Sequence, residues 1–162
     1  MADRSAFEAF YRERLPRVVR ACVLVTLDRD AAEEIAAEAF ARLWSGWDRI
    51  EDEDHAGGYV YTTAMRLCTK RWTRWKREVV AEVSDRPTTD ELGRIALREA
   101  IFAALAELPL RQRQCVVLRD WAGFGTVEVA RMLRMRASTV RVHLSRGRAS
   151  LRRALVVEEL DG

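Results

Sequence analysis

Between residues 138 and 153, arginines recur on one side of a segment whose other side is apolar, and this asymmetry points to polyanion binding. With Val140 at zero on a wheel of about 100° per residue, Leu144, Gly147 and Leu151 fall within roughly 40° of it. The opposite face carries Ser138, Val142, Ser145 and Ala149, flanked by Arg141, Arg146, Arg152 and Arg153. A helix packed on one side, with small residues between arginines on the other, suits a major groove. Guanidinium groups reach phosphates or guanine edges, and small side chains let the backbone approach. A basic surface helix in a small bundle is the plainer reading of the same pattern.

A second cationic ridge lies in YVYTTAMRLCTKRWTRWKR, residues 59–77. Arg66, Lys70, Arg74 and Arg77 fall within about 80° of one another at helical spacing. Tyr61, Met65, Cys68, Trp72 and Trp75 take the opposite side. Like charges four residues apart repel by a few tenths of a kcal/mol per pair, so the ridge suggests an anionic partner. Melted or single-stranded DNA fits, because phosphates and exposed bases suit cations edged with aromatics. Trp72 fits packing at a core or domain edge better than stacking on bases, and Trp75 fits either.

The elements that must carry these residues are all helical. Phe7, Phe10, Tyr11, Leu15, Val18, Val19, Cys22 and Val23 predict a helix over 5–26, kinked or divided at Pro16. A polar break at 27–30 supplies Asp30 as an N-cap. A helix over 31–47 follows, with Ile35, Ala36, Ala39, Phe40, Leu43 and Trp44 inward and Glu33, Glu34, Glu38 and Arg42 outward. Residues 48–58 read as an acidic loop ending in Gly57-Gly58. Residues 78–93 hold five acids and Pro87 and read as a flexible linker. Leu97, Ile101, Ala104, Leu105 and Leu108 resume the helical pattern, and Pro109 opens another helix as its first residue, through about Trp121. Residues 122–125 make a bend. Thr126 caps a short helix with Val129, Ala130 and Leu133 inside, and a turn at 134–137 leads into the arginine-bearing helix. The fold class is all-α: two small helical domains joined by a flexible linker, the second containing a helix-turn-helix. The divisions fall at 1–77, 78–93, 94–155 and a short acidic tail, 156–162.

Charge follows these divisions. From Arg94 to Arg153 thirteen arginines face only Glu99, Glu107, Asp120 and Glu128, whereas residues 1–77 are nearly neutral. A domain that basic suggests nucleic acid as its partner. Cys22, Cys68 and Cys115 are widely spaced in apolar contexts, which argues for reduced thiols in a cytoplasmic protein. With no CxxC pair and only His55 and His143, the sequence offers no zinc site, and the acids of 48–58 fit a solvated loop better than a metal site. No apolar run approaches the roughly 18 residues of a membrane span, and no signal-peptide pattern is present. No nucleophile–base pair or Gly-rich phosphate loop argues for an enzyme, and no cofactor is expected.

LPLRQRQCVVLRDWAGFGTVEVARMLRMRASTVRVHLSRGRASLR, over residues 108–152, resembles the promoter-binding carboxy-terminal domain of bacterial RNA polymerase sigma factors, best the two-domain extracytoplasmic-function (ECF) group. AAEEIAAEAFARLW resembles the family helix that docks on the polymerase clamp, although Ala31 and Ala37 replace the usual aspartate and glutamine. Residues 59–77 resemble the helix that reads and melts the minus-ten element. Tyr59, Val60, Tyr61 and Ala64 agree with its pattern, whereas Arg66 and Lys70 replace its asparagine and aspartate. Arg134 and Arg136 stand where the family usually has a turn glycine and a capping serine.

The resemblance implies a sigma factor that binds RNA polymerase core and directs promoter-specific initiation. It assigns Ser138, Thr139, Arg141, Val142, Ser145, Arg146 and Arg148 to the minus-thirty-five duplex. Tyr59, Tyr61, Arg66, Lys70, Arg71, Arg74 and Arg77 go to the minus-ten region, with His55 and its neighbours near a flipped base. Glu34, Glu38, Phe40 and Arg42 go to polymerase. Polymerase core, promoter DNA and an anti-sigma factor are the implied partners, with no small-molecule substrate and no direct membrane insertion. A free-standing helix-turn-helix regulator and a degenerate sigma-like protein acting through partner binding are the alternatives.

Overall fold

The computed structural model describes the backbone of residues 3–78 and 94–161 and the side chains of 3–74 and 97–156. The expected linker and the side chains of Trp75 and Arg77 lie outside the described residues. Seven α-helices are described: α1 Arg4–Thr26, α2 Arg29–Ser45, α3 Glu53–Glu78, α4 Arg94–Ala106, α5 Leu110–Val116, α6 Thr126–Leu133 and α7 Ala137–Asp161. A 3₁₀ turn, Trp47–Arg49, follows α2, and a π-helical turn, Val117–Trp121, continues α5.

Helix α1 runs as one element through Pro16, so of the two expectations there, a kink or a division, the division does not occur. The cap of α2 is Asp28, not Asp30: the Asp28 carboxylate accepts from the Ala31 N–H at 3.1 Å, leaving Asp30 in the first turn. The acidic loop is shorter than the sequence suggests, because α3 begins at Glu53 and includes Gly57 and Gly58. The Asp52 carboxylate accepts from the His55 N–H at 2.7 Å, an N-cap, and Glu53 and Asp54 then sit at the positive end of the helix dipole. Pro109 occupies the N-cap of α5 rather than its first turn. The backbone of α7 stays helical through Asp161, so the expected separate tail begins as helix.

Helices α1, α2 and α3 pack around Phe10, Val18, Cys22, Ile35, Phe40, Leu43, Val60 and Met65. In the second domain α5, α6 and α7 enclose Cys115, Leu118, Val129, Leu133, Val140 and Leu144. Trp44, expected inside, is 41% exposed and leans on Phe7 at 4.9 Å between ring centroids. Cys22, Cys68 and Cys115 are buried and form no disulfide. Burial pushes the Cys115 thiol up to about 11, and a hydrogen bond with Cys22 followed by burial raises Cys68, so both stay un-ionised and poorly nucleophilic.

The two domains share one continuous core. Arg113 of α5 is fully buried, and its guanidinium donates to Leu105 O at 2.9 Å, Leu108 O at 3.0 Å and Val25 O at 2.6 Å. Val25 O belongs to the last turn of α1, where carbonyls have no intrahelical partner, so Arg113 caps a helix of the other domain. The same group lies 4.8 Å from the ring of Trp72 on α3. Burial pulls it down to about 10, which leaves it charged at neutral pH. Beside it the Gln114 amide donates to Met65 O at 3.2 Å and Thr69 Oγ1 at 2.9 Å, both on α3. Tyr61 and Phe124 complete the seam edge to face, with centroids 4.9 Å apart.

Candidate nucleic-acid interface

The expected two-sided character of α7 is present. Val140, Leu144 and Gly147 are buried, Leu151 is half-buried, and Ser138, Thr139, Arg141, Val142, Ser145, Arg146 and Arg148 are all exposed. At Gly147 α7 crosses close to α5: a Cβ there would stand 2.8 Å from Val116 Cγ2. The helix therefore seats deeply while holding its arginines outward. His143 is half-buried with Nδ1 unpartnered, and burial first, then the nearby cations Arg146 and Arg111, lowers its affinity for a proton.

Between α6 and α7 the chain turns at Arg134, whose φ of 54° and ψ of 50° are left-handed. Its N–H donates to the Ala130 and Arg131 carbonyls, and the Met135 N–H donates to Ala130 O at 3.0 Å, the Schellman closure of α6. Glycine would adopt this conformation without strain; arginine gives up roughly 1 kcal/mol. At the other end of α6 the cap position belongs to Gly125, and Thr126 is the first helical residue with no side-chain cap bond, contrary to expectation.

A shallow groove of about 470 Å³ opens where the π-turn, the start of α6 and α7 meet. Arg119, Arg141, Arg148 and Arg152 line it, with Thr126 and Ser145 between them. Cations around a helix N-terminus form a site for phosphate oxygens. Arg148 is partly committed: its Nε lies 2.8 Å from one Asp120 oxygen, and Nη2 bonds the other. This pairing holds the Asp120 carboxyl below its ordinary range and raises the Arg148 guanidinium. Arg119 is absent from the sequence reading, because its place in the groove depends on the π-turn.

On α3, Tyr59, Arg66, Lys70, Arg71 and Arg74 are exposed. Tyr61 is not on that face: it is 5% exposed against Phe124, and desolvation raises its phenol. Arg71, assigned with the ridge residues to the minus-ten region, pairs instead with Glu34 of α2 at 2.9 Å. A second groove, about 310 Å³, brings Arg42 and His55 together with Tyr59, Thr62 and Arg66. Glu34, Glu38 and Arg42 are exposed on α2, with Arg42 bonded to Glu38 at 2.6 Å. Phe40 is separate from them, being 2% exposed and packed on Phe10 and Tyr11, so it supports that face from within.

Arg113 and Gln114 also escaped the sequence reading, although a signal was present. Leu110, Arg113, Gln114, Val117 and Leu118 recur at i, i+3, i+4, i+7 and i+8, an inward stripe with two polar members. Among the described residues, no group of His, Cys, Asp and Glu is arranged to hold a metal ion, and no helix is long and apolar enough to cross a membrane.

Two helical domains, the second presenting an arginine-lined helix after a tight turn, have the architecture of a sigma factor. The sigma-70 region 2 model matches residues 10–78, and the sigma-70 region 4 model matches residues 98–151. The RNA polymerase sigma-E factor of Streptomyces coelicolor is 32% identical over 99% of this chain and 92% of that protein. The ECF RNA polymerase sigma factor SigM of Mycobacterium tuberculosis is 27% identical over 94% of this chain and 79% of its own length. In fold, the chain is similar to the sigma factor RpoE of Bartonella quintana, solved in complex with the anti-sigma factor NepR. The TM-score there is 0.79 at 20% identity, covering 94% of this chain and 98% of that one. The chain belongs to the RNA polymerase sigma factor family and, within it, to the ECF group.

Proposed function

We propose a division of labour for this sigma factor in which the first domain, residues 1–77, binds polymerase core and opens the minus-ten region, and the second, residues 94–155, grips the minus-thirty-five duplex. The observation that carries this reading is the exposure of two cationic helix faces, on α3 and α7, each backed by a packed apolar face. On α7, Arg141 and Arg146 contact phosphates or guanine edges. Ser138, Thr139, Val142 and Ser145 allow close approach, and Arg148 reaches DNA once it leaves Asp120. On α3, Arg66, Lys70 and Arg74 hold the strand backbone, and Tyr59 with His55 borders a groove where an unstacked base would sit.

Glu34, Glu38 and Arg42 form the polymerase-facing patch. Their present partners, Arg71 and each other, are exposed ion pairs worth roughly 0.2–1 kcal/mol, weak enough to be exchanged on docking. The chemistry of RNA synthesis belongs to polymerase, so the factor itself needs no catalytic residue, metal or cofactor. It acts in the cytoplasm beside polymerase and DNA, and an anti-sigma factor is its regulatory partner.

Permanganate footprinting of the polymerase–promoter complex tests the assignment. Replacing Lys70 and Arg74 together by alanine should lower the reactivity of unpaired minus-ten thymines, while Arg141→Ala with Arg146→Ala should weaken promoter capture and leave core binding intact. Unchanged thymine reactivity in the first variant, or lost core binding in the second, would contradict it.

A further inference from the structure

Helix α7 carries its arginines on two flanks rather than one. With Arg141 at zero on the helical wheel, Arg148 and Arg152 fall within roughly 20° of it, whereas Arg146 and Arg153 lie about 120–140° away. Ser138, Val142, Ser145 and Ala149 fill the arc between the flanks. The first flank lines the groove of about 470 Å³, where Arg119 of the π-turn adds a fourth guanidinium. No acidic side chain lines that groove, and among the described residues Arg119, Arg141 and Arg152 form no ion pair. Arg148 alone is neutralised, by Asp120. We propose that this groove takes the phosphodiester backbone of one strand of duplex DNA, and that Asp120 is its internal competitor, a carboxylate standing where phosphate oxygens would bind Arg148. The inference rests on the assignment of α7 to duplex DNA above and adds Arg119, Arg152 and Asp120 to it.

The chemistry of the pair suits that exchange. Asp120 presents both oxygens to Arg148, one to Nε at 2.8 Å and the other to Nη2, the two-pronged arrangement in which a guanidinium also binds phosphate. Both side chains are about 40% exposed, so water reaches the pair and the trade of one anion for another strands no buried charge. The trade still has a cost. The displaced carboxylate stays beside the incoming phosphates and offsets one of the four cations. The length of the groove selects a strand over a free ion: Arg141 and Arg152 are eleven residues apart, about 16 Å along α7, too far for one phosphate to bridge. The other flank differs, because Arg146 and Arg153 are paired with no acid among the described residues. Asp120 therefore weakens one wall of the recognition helix and leaves the other at full charge.

Fluorescence anisotropy of a short mixed-sequence duplex, titrated with the full chain, reads this site, because backbone contacts are indifferent to base sequence. Asp120→Asn keeps the shape and removes the charge. It should tighten binding about two- to fivefold at low salt and steepen the slope of log K against log salt by about 0.9. Arg119→Ala and Arg152→Ala should each weaken binding and flatten that slope by about 0.9. Adding Arg148→Ala to Asp120→Asn should abolish the gain. A pair that only held the fold together would give the opposite sign, weaker binding on its loss. Unchanged or weaker binding by Asp120→Asn, with helix content retained, would therefore overturn the competitor, and a parent-like slope in Arg119→Ala would overturn the groove. Exchanging chloride for inorganic phosphate at equal ionic strength should leave the parent's duplex binding unchanged; strong competition would mark a small-anion site and overturn the assignment to a strand. Arg146→Ala, on the other flank, reports on the underlying reading. If it weakens binding while Asp120→Asn and Arg119→Ala change nothing, the groove fails and α7 keeps its role. If neither flank matters, both fail together.

Discussion

Gly147 of α7 faces Val116 of α5 so closely that a single added carbon would lie 2.8 Å from Val116 Cγ2. The recognition helix owes its seat to that missing methyl group. Gly147→Ala should therefore destabilise the second domain by about 1 kcal/mol, the remainder after overpacking of roughly 1–3 kcal/mol is offset by about 1 kcal/mol of helix propensity. Val116→Ala makes room for the new methyl, so a double-mutant cycle in urea should show favourable coupling of about 1 kcal/mol. Additive losses would contradict the contact.

Arg134 predicts the opposite sign. Its left-handed backbone is strained for arginine, so Arg134→Gly should raise stability by up to about 0.5 kcal/mol, the relief of strain outweighing the added freedom of the unfolded chain. Thermal unfolding of the two proteins checks this, and a lower melting temperature in the glycine variant would refute it.

The Asp120–Arg148 pair makes a prediction about acid. The Asp120 carboxyl is held below its ordinary range in the folded state, chiefly by its hydrogen bond with Arg148. Its contribution is then complete above the unfolded value of about 3.9 and is lost as pH falls through the lower folded value. Both side chains are about 40% exposed, so screening limits the effect to below roughly 1 kcal/mol. Asp120→Asn should be slightly less stable than the parent at pH 7, and the difference should vanish at the acid end of the range. A difference that grows on acidification would have the wrong sign.

The second cationic face and the helix-turn-helix were legible in the sequence because each depends on period alone. The residues Val140, Leu144, Gly147 and Leu151 face inward at helical spacing, and arginines fill the opposite side. What was not legible depends on contacts between distant segments. Helical period puts Tyr61 on the side of α3 opposite the ridge, but its neighbour there is Phe124, more than sixty residues later, and no local pattern names that partner. Phe40 shares a helix with Glu34, Glu38 and Arg42 but faces inward by period, and the rings it meets there, Phe10 and Tyr11, come from another helix. The starts of α2 and α3 were misplaced by competition among neighbouring acids: Asp28 and Asp52 cap, whereas Asp30, Glu53 and Asp54 interact with the helix dipole. Arg113 and Gln114 broke the apolar stripe of α5, and that local inconsistency was the trace of the inter-domain seam.

Run-off transcription with purified core polymerase on a genomic fragment library, with and without this chain, tests the central claim most directly. The account predicts new, defined start sites that depend on the factor, with aligned sequences about ten and thirty-five pairs upstream. It further predicts that these starts weaken when Arg141 and Arg146 become alanine. Specific duplex binding by the chain alone, with no new start site, would instead describe a free-standing regulator and contradict the account.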